Sequence, residues 1–393
     1  MGFLRRQHEA DLQKDEERIL TDNKQSAANA PKGKKQTKTA AQKVKGGVLR
    51  ALLVVLETVL LLALALYGAM TVLAKGPSPT ARDRFVFTLH ESSALKFVPR
   101  LVLSQEEIDE IEKSRDHVAD YDYQEMDTSL VTINTPQQDD TQTGPTADPW
   151  GLVDEDGDGI VLERVRGEGY NGYMMVVYDP TRVIMGCVPS DFERQGRTVA
   201  DMVQYFDGIA GINAGGFLDP GGMGNGATPD SMVVYDGKIY YAQFGLSQYG
   251  CFVGFDNEYK MHVGKYSRSD VEANNIRYGV CFGPALVING EAVDPSGFAS
   301  GQNPRTAIGQ RSDGAVLLLV IDGRQATSLG ASLRDVSDIM LSYGAVNACN
   351  LDGGSSSLLW YNGEYVNNKA HIVGIRNIPT SFVVLKEGVQ AGG

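Results

Sequence analysis

Asn303 to Arg324 reads NPRTAIGQRSDGAVLLLVIDGR, and its punctuation decides the fold. Two apolar-rich runs, TAIGQRS and AVLLLVI, stand either side of Asp313-Gly314. An Asp-Gly or Asn-Gly pair between such runs favours a tight turn joining antiparallel strands. The signal occurs three more times. Asp236-Gly237 separates MVVY from KIYY, Asn289-Gly290 separates ALVI from EAV, and Asn362-Gly363 separates LLWY from EYV. Two amphipathic helices interrupt these runs. One starts at Thr198 with Asp201 at the capping-box position and turns Val199, Met202 and Phe206 inward; the other spans Ser332 to Tyr343, with Leu333, Val336, Ile339, Met340 and Tyr343 on one face. A helix followed by a short strand thus occurs twice, before GIAGIN and before AVNACNLDGG. The expected fold class is α+β: a mixed, mostly antiparallel sheet domain with a few packed helices over residues 151–390, on an N-terminal single transmembrane helix.

That helix is read from Ala51–Ala74, ALLVVLETVLLLALALYGAMTVLA, whose one charge is Glu57. About 20 apolar residues suffice to cross a bilayer. Residues 1–50 hold 12 Lys+Arg and 6 Asp+Glu, and every one of those acids precedes Lys24. The expected order is a basic, disordered cytoplasmic tail (1–50) lying near anionic lipid, the span (51–74), and an extracellular part after Lys75. Residues 75–150 read as a stalk or linker with one short helix, opened by a Ser104–Glu107 capping box and carrying Ile108 and Ile111 on its apolar face. Self-association through this stalk or the span fits the same pattern. The localisation expected is the cell membrane, single-pass, with the C-terminal domain outside.

The net charge of -13 and a pI near 4.9 argue against nucleic acid as a partner, whose binding surfaces are basic. Four cysteines, Cys187, Cys251, Cys281 and Cys349, lack CxxC spacing, so no zinc site is expected; one or two disulfides and buried thiols fit them equally well. Only His262 and His371 are available in the globular part for a Ser-His-Asp triad, and no phosphate-loop, dinucleotide or Gly-x-Ser-x-Gly signature occurs. No metal or cofactor is expected. Asp154–Gly159, DEDGDG, looks like half of a calcium loop, but Val165 stands where the closing Glu is needed, so it reads as an acidic linker end.

Three Gly-rich segments follow strand-like runs: Asn213-Ala214-Gly215-Gly216-Phe217, Asn303 to Gly309, and Asp352-Gly353-Gly354-Ser355. Bare backbone lets a ligand approach while the adjoining amide, guanidinium and carboxylate face it. Asp322 and Asp352 each end an apolar run. Two such acids can supply the acid and the base or nucleophile of sugar hydrolysis. Arg305 can hold a phosphate by charge-assisted bonds.

Together INAGGF, GPALVING, NPRTAIGQRSDGAVLLLVIDGR and NLDGGSSS resemble the phosphodiester glycosidase family, in particular its membrane-anchored bacterial members labelled as exopolysaccharide biosynthesis proteins. The resemblance covers roughly residues 159–385 and leaves out tail, span and stalk. It implies a hydrolase that splits the sugar C1–O bond of a sugar-1-phosphodiester in cell-surface or exopolysaccharide metabolism. Carried over by motif, the catalytic residues are Asp322 and Asp352, and the substrate-binding residues are Asn213, Gly215, Gly216, Phe217, Arg305, Thr306, Gly353, Gly354 and Ser355. On this reading Arg305 and Ser355 take the phosphate, Asn213 takes sugar hydroxyls and Phe217 stacks on the ring, while the division of labour between the two acids stays open. A non-catalytic polysaccharide-binding or scaffolding module, and a sugar-phosphate transferase, share the same anchor and cleft.

Overall fold

The computed structural model describes residues 40–90, 95–113, 123–133, 147–219, 224–241, 250–293, 301–368 and 374–389, with Arg18, Leu20 and Thr21. It divides into two compact units, Met1–Leu66 and Tyr67–Gly393. Most of the expected tail, residues 134–146 of the expected linker, and His371 lie outside the described residues.

Helix α1 (Ala40–Lys75) contains the expected span, and its segment Val48–Lys75 is long and apolar enough to cross a membrane. Thr58 and Thr71 return their hydroxyls to the carbonyls of Val54 and Tyr67, both at 2.8 Å, which leaves little polar surface along the apolar wall.

In the second unit the end of α1 is followed by α2 (Pro79–His90) and α3 (Gln105–Lys113). Ala74, Val86, Phe87, Val102, Leu103, Ile108 and Ile111 close a small core among them. The Ser104–Glu107 capping box is present, with the Ser104 N–H 2.7 Å from Glu107 Oε2 and the Glu107 N–H 3.2 Å from Ser104 Oγ. Residues 123–133 then lie on the sheet domain: Gln124 Nε2 donates to the Ile288 carbonyl and the Thr132 N–H to the Ser312 carbonyl. Much of the segment expected as a stalk is therefore a packed neck.

Three antiparallel sheets carry the rest. The first orders β1 (Ile160–Gly167), β2 (Tyr170–Val177), β13 (Val316–Ile321), β12 (Arg305–Arg311), β14 (Ala345–Leu351), β10 (Ala285–Ile288) and β11 (Glu291–Ala292). The second orders β16 (Glu364–Tyr365), β15 (Leu359–Tyr361), β4 (Gly208–Asn213), β17 (Ser381–Leu385) and β3 (Val183–Gly186). The third orders β6 (Lys238–Tyr241), β5 (Val233–Tyr235), β9 (Ile276–Cys281), β7 (Gly250–Asp256) and β8 (Met261–Tyr266). Helix α4 (Val199–Tyr205) packs on β4 and β17, α5 (Arg268–Ala273) on β8 and β9, and α6 (Leu333–Ser342) on β10 and β14. This is the expected α+β class.

The strands β12 and β13 are buried along their whole length, which is why AVLLLVI is a continuous apolar run and not an alternating one. Three of the four turns take the tight form: φ is 47° and 73° at Asp236-Gly237, 54° and 79° at Asn289-Gly290, and 49° and 96° at Asn362-Gly363. The fourth differs. At Asp313-Gly314 only the glycine, at φ 92°, enters the left-handed region, because the Asp313 carboxylate is held by Arg311 and the Ala315 N–H. Arg311 is fully buried, with Nη1 2.7 Å from Asp148, Nη2 2.6 Å from Asp313 and its guanidinium 3.8 Å above the Trp150 ring. All four cysteines are free thiols.

Candidate active site

Strands β4 and β14 belong to different sheets but end at one place, and side chains stitch the ends together. Asn213, the last residue of β4, donates through Nδ2 to the Asp352 carbonyl at 2.5 Å. Its Oδ1 accepts from Thr306 Oγ1 at 2.8 Å and from the Leu358 N–H at 3.2 Å. The Asp352 N–H donates to the Ala214 carbonyl and the Gly354 N–H to the Pro304 carbonyl, both at 2.9 Å. The three Gly-rich segments singled out in the sequence thus meet. Asn213 and Thr306 do so as buried scaffold, 1% and 0% exposed, with their polar atoms spent on each other and on the backbone.

Asp352 turns back into this junction. Burial pushes its carboxyl up to about 7, the nearby Asp230 carboxylate pushes the same way, and the Ser356 hydroxyl and Arg376 pull down. Burial also raises Asp230. Asp230 arrives because residues 216–218 pair with 228–230: the Asp230 N–H donates to the Gly216 carbonyl at 3.2 Å, and Phe217 bridges Pro229. The Asp230 carboxylate fills the space where a Gly216 side chain would begin, and the Phe282 ring lies 3.0 Å from that point. Any larger residue at 216 would displace the acid. The third charge is Arg376, whose Nη1 sits 2.7 Å from Asp219 Oδ2 and whose guanidinium lies 4.8 Å from the Phe217 ring centre. The hydrogen bond from Arg376 in turn holds the Asp219 carboxyl below its usual range. On the other side, Arg324 has a left-handed backbone (φ 57°) and is exposed; its Nη2 is 3.2 Å from Asn303 Oδ1, with the guanidinium against Gly354.

Asp322 and Asp352 are not brought onto one another. They follow β13 and β14, which flank β12 on opposite sides, so two strand spacings of roughly 5 Å each separate their backbones. Asp322 is 2% exposed and its oxygens accept from Asn367 Nδ2, the Asn368 N–H and Asn368 Nδ2 at 3.2, 2.9 and 3.1 Å. Burial raises it, and these bonds and Arg164 oppose the rise. Arg305 is also buried, donating from Nε to the Ala331 carbonyl and from Nη2 to the Gly301 carbonyl at 3.1 and 2.7 Å. Gly353, Gly354 and Ser355 form the turn after Asp352, and Phe217 is half-buried on the rim.

Sequence reasoning missed Asp230, Arg376 and Asp219, although Asp219 stands only two residues before Gly221-Gly222; Arg324 stands in the quoted IDGR, but only its neighbour Asp322 was singled out. His262 bonds Tyr266 and Asp256, each at 3.0 Å, in a cavity of about 830 Å³ that contains none of the residues singled out for the site. Among the described residues one set of carboxylates gathers closely enough for a cation: Asp154, Asp156 and Asp158, with ligand atoms within 4.8 Å of one another. In it Asp154 accepts from the N–H groups of Gly157 and Gly159.

Residues 207–385 match the family model described as phosphodiester glycosidase. The SPbeta prophage-derived uncharacterized protein YomE of Bacillus subtilis (strain 168) is 31% identical over 201 residues, 48% of this chain and 29% of its own length, so the chain spans under a third of that relative. Among solved structures, the catalytic domain of zebrafish N-acetylglucosamine-1-phosphodiester alpha-N-acetylglucosaminidase, auto-inhibited by its pro-peptide, superposes with a TM-score of 0.48 at 19% identity over 58% of this chain and 82% of that one. A hypothetical protein from Synechocystis gives 0.43 at 17% identity, over 63% and 64%.

Proposed function

Residues 207–385 belong to the phosphodiester glycosidase family, and from that premise we propose that this chain is a membrane-anchored hydrolase of sugar-1-phosphodiesters at the cell surface, with Asp352 and Asp230 as its working acids. What supports the reading is that Asp352, pushed up to about 7 mainly by burial, feels the charge of Asp230, whose carboxylate is seated against Gly216 in the neighbouring glycine segment. Two close carboxylates share one proton, because ionising both at once is unfavourable. Near neutral pH the protonated member donates to the phosphate oxygen as the C1–O bond breaks. The ionised member takes a proton from the water that attacks C1. The products are a free sugar and a phosphomonoester.

Phosphate binding falls to the guanidinium groups. Arg324 is exposed beside the Gly353–Ser355 turn, and Arg376 is aimed by Asp219 and Phe217. Charge-assisted bonds from such groups also favour departure of the phosphate. Phe217 is placed to pack against the sugar. Asn213 and Thr306 hold the Asp352 backbone, and Asp322 orders the turn at Asn367–Asn368. The direct test is release of reducing sugar from methyl N-acetylglucosamine 1-phosphate and related sugar-1-phosphodiesters by the full chain. Asp352→Asn and Asp230→Asn should each lose at least 100-fold in kcat. Sugar release that survives both substitutions would remove the two acids from the mechanism.

A further inference from the structure

After the span, nine large apolar side chains remain exposed among the described residues, and three of them fall within seven positions: Leu95, Phe97 and Leu101, at 39, 59 and 51%. This stretch is not loose. Pro99, Val102 and Leu103 are buried, the latter two in the neck core that also takes in Ala74 from the last turn of α1. Lys96 and Arg100 stand exposed between the apolar residues. Residues 75–103 hold five Lys+Arg against two Asp+Glu, whereas residues 104–393 hold 19 against 40. A short apolar ridge edged with cations, on a basic stretch beside an acidic domain, suits the boundary between lipid headgroups and acyl chains. Its shared core with the end of an apolar helix names the occupant: a bilayer.

The neck that carries the ridge packs against the segment that leads from Gly301 to Arg305. Thr88 of α2 fills the space in front of Gly301, whose carbonyl accepts the 2.7 Å bond from Arg305. Lys96 is one of the charges acting on Asp219, the residue that aims Arg376. Leu218, between Phe217 and Asp219 on the rim, is 49% exposed.

We propose that Leu95, Phe97 and Leu101 lie in the surface of the membrane that α1 crosses, and that the site takes a sugar-1-phosphodiester whose phosphate carries a membrane-embedded lipid. The substrate half of this inference rests on the glycosidase reading above; the membrane contact does not. Water would cleave the C1–O bond, releasing the sugar and leaving a lipid phosphomonoester in the bilayer.

The full chain in nanodiscs of anionic lipid tests both halves. Phe97→Trp adds a fluorophore to the native Trp150 and Trp360, and the added emission should fall at least twofold when the lipids carry brominated acyl chains. Emission insensitive to bromine overturns the contact. In the same discs, Phe97→Asp with Leu101→Asp should slow cleavage of polyprenyl-phosphate-linked N-acetylglucosamine at least tenfold. The soluble methyl N-acetylglucosamine 1-phosphate should change less than twofold. Equal slowing of the two probes, or cleavage of the soluble one alone, overturns the lipid-linked substrate. If wild type cleaves neither probe while quenching persists, the glycosidase reading falls with its substrate, and the membrane contact stands.

Discussion

Asp352→Asn should make the protein more stable, and more so in alkali than in acid. In the folded state the Asp352 carboxyl is raised from 3.8 to about 7, mainly by burial and then by Asp230. A carboxyl that is raised on folding binds more protons in the native state than in the unfolded chain between those two values. Stability therefore declines as pH rises through that window and levels off above it. Between pH 5 and about 7 this amounts to two pH units, or at most ~3 kcal/mol at ~1.4 kcal/mol per unit. Residual exposure of the side chain reduces it to about 1–3 kcal/mol. A neutral amide removes the decline, so the advantage of Asp352→Asn over wild type should grow by that amount from pH 5 to pH 8. For a domain of this size that is roughly 3–10 °C in Tm. Differential scanning fluorimetry of the full chain in detergent at both pH values measures it, and the double difference cancels whatever the amide does at either pH. An advantage of the same size at pH 5 and pH 8, or none, would refute the claim that Asp352 is forced towards its protonated form.

Three further outcomes follow from the same contacts. If the proton on Asp352 is the one donated, kcat/KM of wild type should fall above pH about 7, and Asp230→Glu should move that limb, which a pH–rate profile reads directly. Arg376→Lys keeps the charge but loses the fixed fork towards Asp219, so turnover should drop roughly tenfold or more in steady-state assays. Arg311→Ala leaves the half-buried Asp148 without its cation and uncovers Trp150, at a cost of about 3–5 kcal/mol by denaturant titration, with little change in kcat for molecules that remain folded.

What the sequence disclosed was what neighbouring residues decide among themselves. Asn289-Gly290 and Asn362-Gly363 make their turns with partners a few positions away, and the capping boxes at Ser104 and Thr198 close over three residues. The long apolar helix declared itself by length and composition. Part of the site was legible for a related reason: paired glycines mark close backbone approach, and the segments around Gly215, Pro304 and Gly353 do converge. The partner of Asp352 was not legible. Asp230 is placed by a two-stranded pairing with Gly216, from where its charge acts on Asp352, and Arg376 comes from a segment with no motif, so neither leaves a local trace. Asp322, which ends its strand much as Asp352 does, proved to be tied to Asn367 and Asn368. Of the neck, the helix opened by Ser104 was legible from its capping box, whereas α2 and the shared core were not, because those apolar residues become a core only when Ala74, Phe87 and Ile111 are brought together.

The junction at Asn213 has a consequence for anyone wishing to change what this protein accepts. One amide there holds strand β12 and both ends of the Asp352–Leu358 connection at once, so an altered residue at 213 or 306 shifts both together and a library that varies either will be dominated by misfolded members. Leu218 is under no such obligation: its apolar side chain stands exposed on the outer ring of the site. Diversity placed on that ring, with the junction held constant, is where new selectivity can be sought without rebuilding the domain.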